Sequence, residues 1–297
     1  MSKGKIVGIV YLENNLTSGA FTKDRIEVIK ILSSQAAISI ENASLYSNLE
    51  SITKEKTRIT TEMEIAKDIQ TSLLPISPTL SGFDVATYML TADLVGGDYF
   101  DVIQTEGREW FVIGDVSGHG VTAGLLMMMT QTAIHTILNS LETKDPALLL
   151  SKVNQVISSN IQKMKLKKYM TLTLFLKEAN GSIYYSGMHQ DLLLYVAKKK
   201  TVEIIETNGS WIGYYDLHNE FQVDHINMES GDVLFLFTDG ITESTDIDGH
   251  MYEINGLVKI LNEKGSEPVE VIKQSILKSL EDFKTEDDTT FMICKRK

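Results

Sequence analysis

The sequence is poor in cysteine, in proline and in positive charge. Its 297 residues include one cysteine, four prolines and 28 basic against 40 acidic side chains, giving a formal net charge of −12. The single thiol, Cys294, excludes an intramolecular disulfide. With no secretion signal, we expect a reducing, cytoplasmic setting. The acidic balance argues against non-specific binding to the phosphates of a nucleic acid.

Long hydrophobic runs are also scarce. The apolar run near the start, KIVGIVYLE at 5–13, is too short to span a bilayer, and polar residues follow it at once. We expect no other segment of membrane-spanning length, so attachment to a membrane would need a partner. A hydrophobic content of 43% is enough for one large domain or two smaller ones with buried cores.

A strand followed by one long helix is predicted in the first part of the chain. The strand would cover 5–13, and the helix would run from about 25 to about 74, where Pro75 and Pro78 end it. Heptad spacing in its second half favours a two-stranded coiled coil and a homodimer. The alternative is a helix packed on its own domain. The two core positions hold Leu45, Ile52, Ile59, Ala66 and Leu73, and Leu49, Lys56, Met63 and Gln70.

From Gly82 onward the pattern changes to short β-rich runs. Two pairs of predicted helices interrupt or follow them, at about 121–141 with 146–164 and at about 253–264 with 268–283. Strands in runs with helices in pairs indicate an α+β layered fold, not alternating βαβ units.

Four segments place an aspartate at the end of an apolar strand, beside glycine or a sharp turn. They are GGDYFD at 96–101, GDVSGHG at 114–120, FTDG at 237–240 and DDTT at 287–290. A carboxylate at the mouth of an apolar strand is costly to desolvate unless it is paired or bound to metal, and no comparable set of basic residues accompanies these acids. Oxygen ligands suit Mg²⁺ or Mn²⁺, and a pair of such ions can clamp a phosphoryl group.

Each segment alone has a plainer explanation. An Asp-Gly pair such as 239–240 is most often a turn. The GHG at 118–120 would serve as a helix cap, and the acids at 98, 101, 287 and 288 as solvated strand ends. The metal interpretation therefore depends on the set of four.

In this order and context, the segments resemble the metal-dependent protein phosphatase family (type two C, or PPM), in its bacterial SpoIIE-type branch. The similarity covers about 60–297, in the blocks EIAKDIQTSLLP, GGDYFDV, GDVSGHGVTAGLLM, MTLTLF, GDVLFLFTDGITES and DDTTFMI. It implies a β-sandwich of two antiparallel sheets flanked by helix pairs, preceded by the strand and the long helix. The expected domains are a sensor remnant at 1–44, a helical linker at 45–75 and the phosphatase domain at 76–297.

The resemblance also implies a site with two Mn²⁺ or Mg²⁺ ions, which the sequence does not tell apart. Asp115 would bridge the ions, helped by the backbone carbonyl of Val116. A metal-bound water would attack phosphorus directly, without a covalent phosphoenzyme. Asp98 would serve one ion and Asp239 and Asp287 the other, with Asp288, Asp101 and Gly97 behind them.

Three residues are expected on the substrate side of this site. Gly240 and the loop after it would lie near the substrate. His119 stands farther from Asp115 than the acid histidine of the eukaryotic relatives, so a role in capping a helix or ordering a loop is expected. The branch usually shows Ala-Gly-His-Asn-Pro where this chain has SGMHQD at 186–191. It is left open whether His189 lines the cleft or the loop is remodelled.

Residues 5–50 resemble the end of a GAF sensor domain, through GIVYLEN and SSQAAISIENASLY. Too few residues precede them for a whole GAF domain, so no sensor ligand is inferred. By resemblance, the chain is a serine/threonine phosphatase acting on a small phosphorylated signalling regulator, such as an antagonist of an anti-sigma factor. The alternatives are a pseudophosphatase that docks a phosphoprotein without turnover and a dimerisation scaffold.

Overall fold

A computed structural model describes residues 6–105, 107–178, 180–214 and 221–297. Contacts divide the chain into two compact units, Met1–Glu62 and Met63–Lys297. The division falls inside the long helix α1, Lys23–Leu73, close to where the helix was predicted. The three-part division at 44/45 and 75/76 stays a prediction, as does the GAF remnant.

In the first unit, the predicted strand at 5–13 is wrong. Residues 6–15 form no strand or helix, and Lys5 lies outside the described residues. A strand needs a neighbour to satisfy its backbone N–H and C=O groups, and no strand is present in the described part of this unit. On α1, the heptad residues Leu45, Leu49 and Ile52 are 60–66% exposed in the single chain, so the coiled coil stays a prediction.

The second unit contains the strands and the remaining helices. In chain order they are β1 Phe83–Leu90, β2 Tyr99–Thr105, β3 Arg108–Val116, α2 Val121–Ser140, α3 Pro146–Met164, β4 Met170–Lys177, β5 Ser182–Ser186, β6 Leu192–Val196, β7 Thr201–Ile205, β8 Asp224–Asn227, β9 Val233–Phe237, α4 Asp239–Thr242, α5 Glu253–Lys264, α6 Val269–Ser279 and β10 Thr289–Arg296. The short helix α4 was not predicted. The strands form two five-stranded antiparallel sheets, in the orders β1-β10-β9-β6-β7 and β2-β3-β4-β5-β8.

The two sheets pack face to face, with a helix pair on each outer side. Alternation along β3 shows the layering: Phe111 points between the sheets and stacks on Phe175 with ring centroids 4.5 Å apart, whereas Val112 faces α2 and α3. Helices α5 and α6 cover the other sheet through Leu257 and Ile272. The predicted α+β sandwich is thereby confirmed.

Helix α2 corrects the expectation that no segment reaches membrane-spanning length. Within the described ranges it is the one helix long and apolar enough to cross a membrane by length and composition, and 44% of its most apolar window is buried in the fold. Its inner residues Leu126, Met127 and Ile134 are almost fully enclosed. Packing in the core accounts for this apolar character.

Candidate metal centre

The four aspartate segments meet where the two sheets come together. The β2–β3 register pairs Tyr99 with Gly114, which places Asp98 and Asp115 at adjacent strand ends. In the other sheet, the β9–β10 register pairs Phe237 with Phe291, which places Asp239 beside the 287–288 turn. The Thr238 hydroxyl donates to Asp98 Oδ2 at 2.9 Å and so joins the two sheets. The structure thus brings the four predicted segments together.

Asp288 organises the backbone behind this cluster. Its Oδ1 accepts the Ala92 N–H at 2.8 Å, and its Oδ2 accepts the Gly97 N–H at 2.5 Å. The side chain is 1% exposed. Asp288 therefore fixes the chain on which Asp98 stands, which agrees with its expected place behind the ligands.

Two predicted glycines are required by close packing. A Cβ on Gly97 would lie 2.9 Å from the Val116 carbonyl oxygen and 3.1 Å from Asp115 Oδ1. A Cβ on Gly240 would lie 2.0 Å from the Asp288 carbonyl oxygen. Side chains at these positions would push the acidic segments apart.

Burial and repulsion from neighbouring carboxylates raise the pKa values of Asp98, Asp115 and Asp239. Burial first, and then the charges of Asp98, Asp239, Asp287 and Asp288, raise the pKa of Asp115 to about 9. Burial, and then Glu243 and Asp287, raise the pKa of Asp239 to about 6. The pKa of Asp98 also lies well above its ordinary value, chiefly because of burial. None of the ion pairs between described residues includes Asp98, Asp115, Asp239 or Asp287.

This donor set fits hard divalent cations. Carboxylate oxygens and a backbone carbonyl are the ligands that Mg²⁺ and Mn²⁺ prefer, and a cation would relieve the repulsion that raises these pKa values. In the described part of the chain, the one group of three acidic or histidine ligands within 4.8 Å of one another is Asp246, Asp248 and His250, on a surface loop. Among the described residues, no three of the central acids have ligand oxygens that close together. These acids therefore surround a wider space than a single three-ligand site would.

Asp101 lies apart from this cluster. Its Oδ2 accepts the Tyr99 hydroxyl at 3.1 Å and lies 2.7 Å from Nε2 of His135 on α2. It stands three positions after Asp98, so alternation along the strand turns it to the opposite face. The expectation that Asp101 stands behind the metal ligands is not supported by these contacts.

His119 orders a loop and does not cap a helix. Its Nδ1 lies 2.6 Å from Asp93 Oδ2 in the β1–β2 connection. The residue that caps α2 is Gly120, and no side chain makes a capping hydrogen bond there. The hydrogen bond with Asp93 raises the pKa of the exposed His119 imidazole.

His189 lies behind Asp115 and not at an open cleft. Its Nδ1 is 2.8 Å from the hydroxyl of Thr171, which pairs with Asp115 across β3 and β4. Its Nε2 is buried without a hydrogen-bond partner among the described residues, and burial lowers the pKa of the ring to about 4. The loop is held by Thr207, whose hydroxyl accepts the His189 N–H and donates to the His189 carbonyl. The loop therefore holds a neutral imidazole whose Nε2 is buried.

Gln70 makes a buried contact next to the aspartate cluster, although its heptad spacing predicts a coiled-coil position. It is 1% exposed, and its amide donates to the Gly96 carbonyl at 2.7 Å and accepts the Gly96 N–H at 3.0 Å. Gly96 precedes Gly97 and Asp98, so the end of α1 is joined directly to the aspartate cluster. The assignment of Gln70 to a coiled-coil position is wrong, because here the helix packs on its own domain. The signal available in the sequence was that Gln70 is polar at a heptad position that is usually apolar.

Comparisons with known proteins agree with this fold. The family model described as Stage II sporulation protein E (SpoIIE) matches residues 105–297, well over half of the chain. The family match and the fold identify a phosphatase domain of the PP2C type, and the enzyme class is that of the protein phosphatases. The chain belongs to the SpoIIE family.

Individual relatives extend the similarity beyond the region that the model matches. Phosphoserine phosphatase RsbU of Bacillus subtilis (strain 168) is 29% identical over 248 residues, covering 80% of this chain and 71% of RsbU. Phosphoserine phosphatase RsbP of the same organism is 23% identical over 241 residues, and the match spans 57% of its length. The solved SiaA-PP2C domain of Pseudomonas aeruginosa superposes with a TM-score of 0.71 at 20% identity, covering 81% of this chain and 98% of that domain.

Removal of the Gln70 amide is expected to weaken metal binding. In Gln70→Ala, Gly96 loses two buried hydrogen bonds, so the backbone that carries Asp98 is less well fixed. We expect a roughly 10–100-fold weaker Mn²⁺ affinity by isothermal titration calorimetry. Lys67→Ala, on an exposed position one turn earlier, is the matched control and should bind as the wild type does. Equal affinity in both variants would contradict the coupling.

The metal-free protein is expected to lose stability as the pH rises. The pKa of Asp115 is about 9 in the folded chain and 3.8 ordinarily. The folded state therefore holds more protons than the unfolded state between these values, and its advantage falls with rising pH. In EDTA, Asp115→Asn should exceed the wild type in unfolding free energy by more than about 1 kcal/mol at pH 8.5, and by less at pH 5. Urea titration measures this, with the exposed Asp84→Asn as control. If the difference in unfolding free energy between Asp115→Asn and the wild type does not grow with pH, the raised pKa of Asp115 is refuted.

Proposed function

We propose that this chain is a protein phosphatase dependent on Mn²⁺ or Mg²⁺. Its substrate would be phosphoserine or phosphothreonine in a small bacterial signalling regulator, such as an antagonist of an anti-sigma factor. The observation that carries the proposal is the convergence of Asp98, Asp115, Asp239 and Asp287 without a basic partner. The names of RsbU and RsbP, both phosphoserine phosphatases, support the same activity.

The roles of the protein groups follow from their positions. When bound, two divalent ions would supply the positive charge that binds the phosphoryl group and lowers the pKa of a water. Asp115 has the central place among the acids, because the charges of four others act on it. Thr238 holds the carboxylate of Asp98. Asp239 begins α4 directly after β9, and Asp288 fixes the backbone at Gly97.

A cysteine nucleophile does not fit this chain. Cys294 is fully buried in β10, and burial raises the pKa of its thiol to about 12. A thiol with that pKa supplies almost no thiolate at neutral pH. This argues against a cysteinyl-phosphate intermediate, and the mechanism we propose is direct attack by water, without a covalent phosphoenzyme.

The second candidate function is a pseudophosphatase that docks a phosphoprotein without turnover. The remodelled loop at 186–191 is the observation that favours it. Against it stands the complete set of four acids with their supporting hydrogen bonds. Tight binding without turnover in saturating Mn²⁺ would favour the docking module.

We also propose that the chain is a cytoplasmic homodimer that joins through α1. The exposed heptad residues of the first unit support this, because three apolar side chains at 45, 49 and 52 face solvent in the single chain. Because Gln70 connects the end of the same helix to Gly96, a change of register in the dimer would act on the metal centre.

Phosphate release tests the proposed activity most simply. With Mn²⁺ present, the wild type should hydrolyse a phosphoserine peptide, and chelation of the metal should abolish turnover. Asp115→Asn should lower kcat at least about 1000-fold, because the central ligand is lost. Asp246→Asn, in the acidic surface loop, is the matched control and should retain activity. Turnover that survives in Asp115→Asn would show that the ligand assignment is wrong.

The dimer has a separate test in the full chain. Leu45→Lys combined with Ile52→Lys places charges on the proposed seam and should shift the protein from dimer to monomer in sedimentation velocity. Glu50→Lys combined with Lys54→Glu exchanges the charges of an exposed pair on the same helix and should leave the dimer intact. A wild type that sediments as a monomer at every concentration would remove the proposal.

A further inference from the structure

Three aromatic side chains form a connected cluster at the surface of the second unit. Tyr169 stacks on Trp211 with ring centroids 4.6 Å apart, and Tyr214 lies 5.8 Å from each of them. Tyr169 and Trp211 are partly buried, and Tyr214 is 43% exposed. The core clusters of the fold do not include these rings. We name these three residues the aromatic platform.

Strand register places the platform beside the metal centre. Thr171 pairs with Asp115 across β3 and β4, and the Ser117 N–H continues the ladder by donating to the Tyr169 carbonyl at 2.9 Å. Side chains two residues apart on a strand point to the same face and stand about 7 Å apart. Tyr169 is therefore on the face of Thr171 and Asp115, one step farther along the strands.

The turn that carries Trp211 and Tyr214 is firmly anchored. Ile212 exchanges two backbone hydrogen bonds with Met170, each of 2.8 Å. The side chain of Asn154, 4% exposed, accepts the Gly213 N–H at 2.8 Å and donates to the Tyr214 carbonyl at 3.5 Å. The platform is thus held in place before any partner arrives, which lowers the entropy cost of binding.

A positive charge stands at the edge of the platform. Lys168 directly precedes Tyr169 in the chain, and its ammonium group contacts the Ser117 carbonyl. The chain as a whole carries a net charge of −12, and the neighbouring metal centre is acidic. Lys168 therefore makes this rim locally favourable for an acidic group.

We propose that the aromatic platform and Lys168 dock the segment of the substrate protein that flanks its phosphoserine. An extended peptide advances about 3.3 Å per residue, so a side chain two positions from the phosphoserine would reach the rings. The platform fits an apolar side chain there, and Lys168 fits an acidic neighbour. This inference rests on the proposed phosphatase function and adds the feature by which the site selects its substrate.

The experiment compares three phosphoesters on the full chain with Mn²⁺. Two are phosphoserine peptides that differ only at the positions two residues before and two residues after the phosphoserine. One peptide has leucine at both of these positions, and the other has glycine. The third is p-nitrophenyl phosphate, which has no flanking residue. In Trp211→Ala, kcat/KM for the leucine peptide should fall about fivefold to tenfold through KM, with the other two substrates within about twofold. Trp211→Phe keeps a ring and should retain most of the preference.

The outcomes separate this inference from the proposed function. If the wild type hydrolyses all three substrates and Trp211→Ala changes none selectively, the docking inference is overturned and the phosphatase stands. A uniform loss on all three would mean that Trp211 only supports the metal centre, which also overturns it. If the wild type turns over nothing, binding of the leucine peptide to the wild type with Mn²⁺ decides, measured by tryptophan fluorescence. Trp110 is fully buried, so the change should vanish in Trp211→Phe, and no change in the wild type would refute docking.

Discussion

Repulsion between buried carboxylates is the constraint on which the rest of this structure depends. Five aspartates from both sheets are gathered at one junction, where burial first, and then the charges of the other four, raise the pKa of Asp115 to about 9. Such a cluster opposes folding near neutral pH unless a cation or protons neutralise it. The fold holds the acids together with hydrogen bonds from Thr238 and from the backbone at Gly97. Glycine positions give the segments the room to approach.

The same junction explains how parts distant in sequence act together. Asp288 joins the start of β10 to the chain that leads into β2, and Gln70 joins the end of α1 to the same stretch at Gly96. The helix end is therefore connected to Asp98 through two residues of backbone. On the other side, the strands that carry Asp115 and Thr171 lead directly to the aromatic platform. One short region thus connects the helix, the acids and the proposed substrate rim.

The sequence predicted much of this architecture because its periodicities are local. The apolar alternation of the strands and the helices at 146–164 and 253–264 agree with the observed elements. The aspartate segments were also recognisable, since each combines an acid with glycine at a strand end. The four segments together became a specific signal because they follow one another in the same order as in a known family.

The misassigned features depend on tertiary contacts that no local pattern contains. Gln70 fitted a heptad position, but the backbone of Gly96 offers it two buried hydrogen bonds that a helix seam does not. The place of His189 was left open, and it is the contact with the Thr171 hydroxyl across the fold that decides it. The strand at 5–13 had the right composition and lacked a partner in the described chain. In each case, the presence or absence of a contact with residues distant in the sequence overrides the local propensity.

The central claim is that the gathered aspartates hold divalent metal. The most direct test is an anomalous difference map from crystals of the full chain grown with Mn²⁺. We expect two peaks within reach of Asp98, Asp115, Asp239 and Asp287, and neither should survive in Asp115→Asn. A map with no peak there, or with manganese only at the surface loop of Asp246, Asp248 and His250, would contradict it.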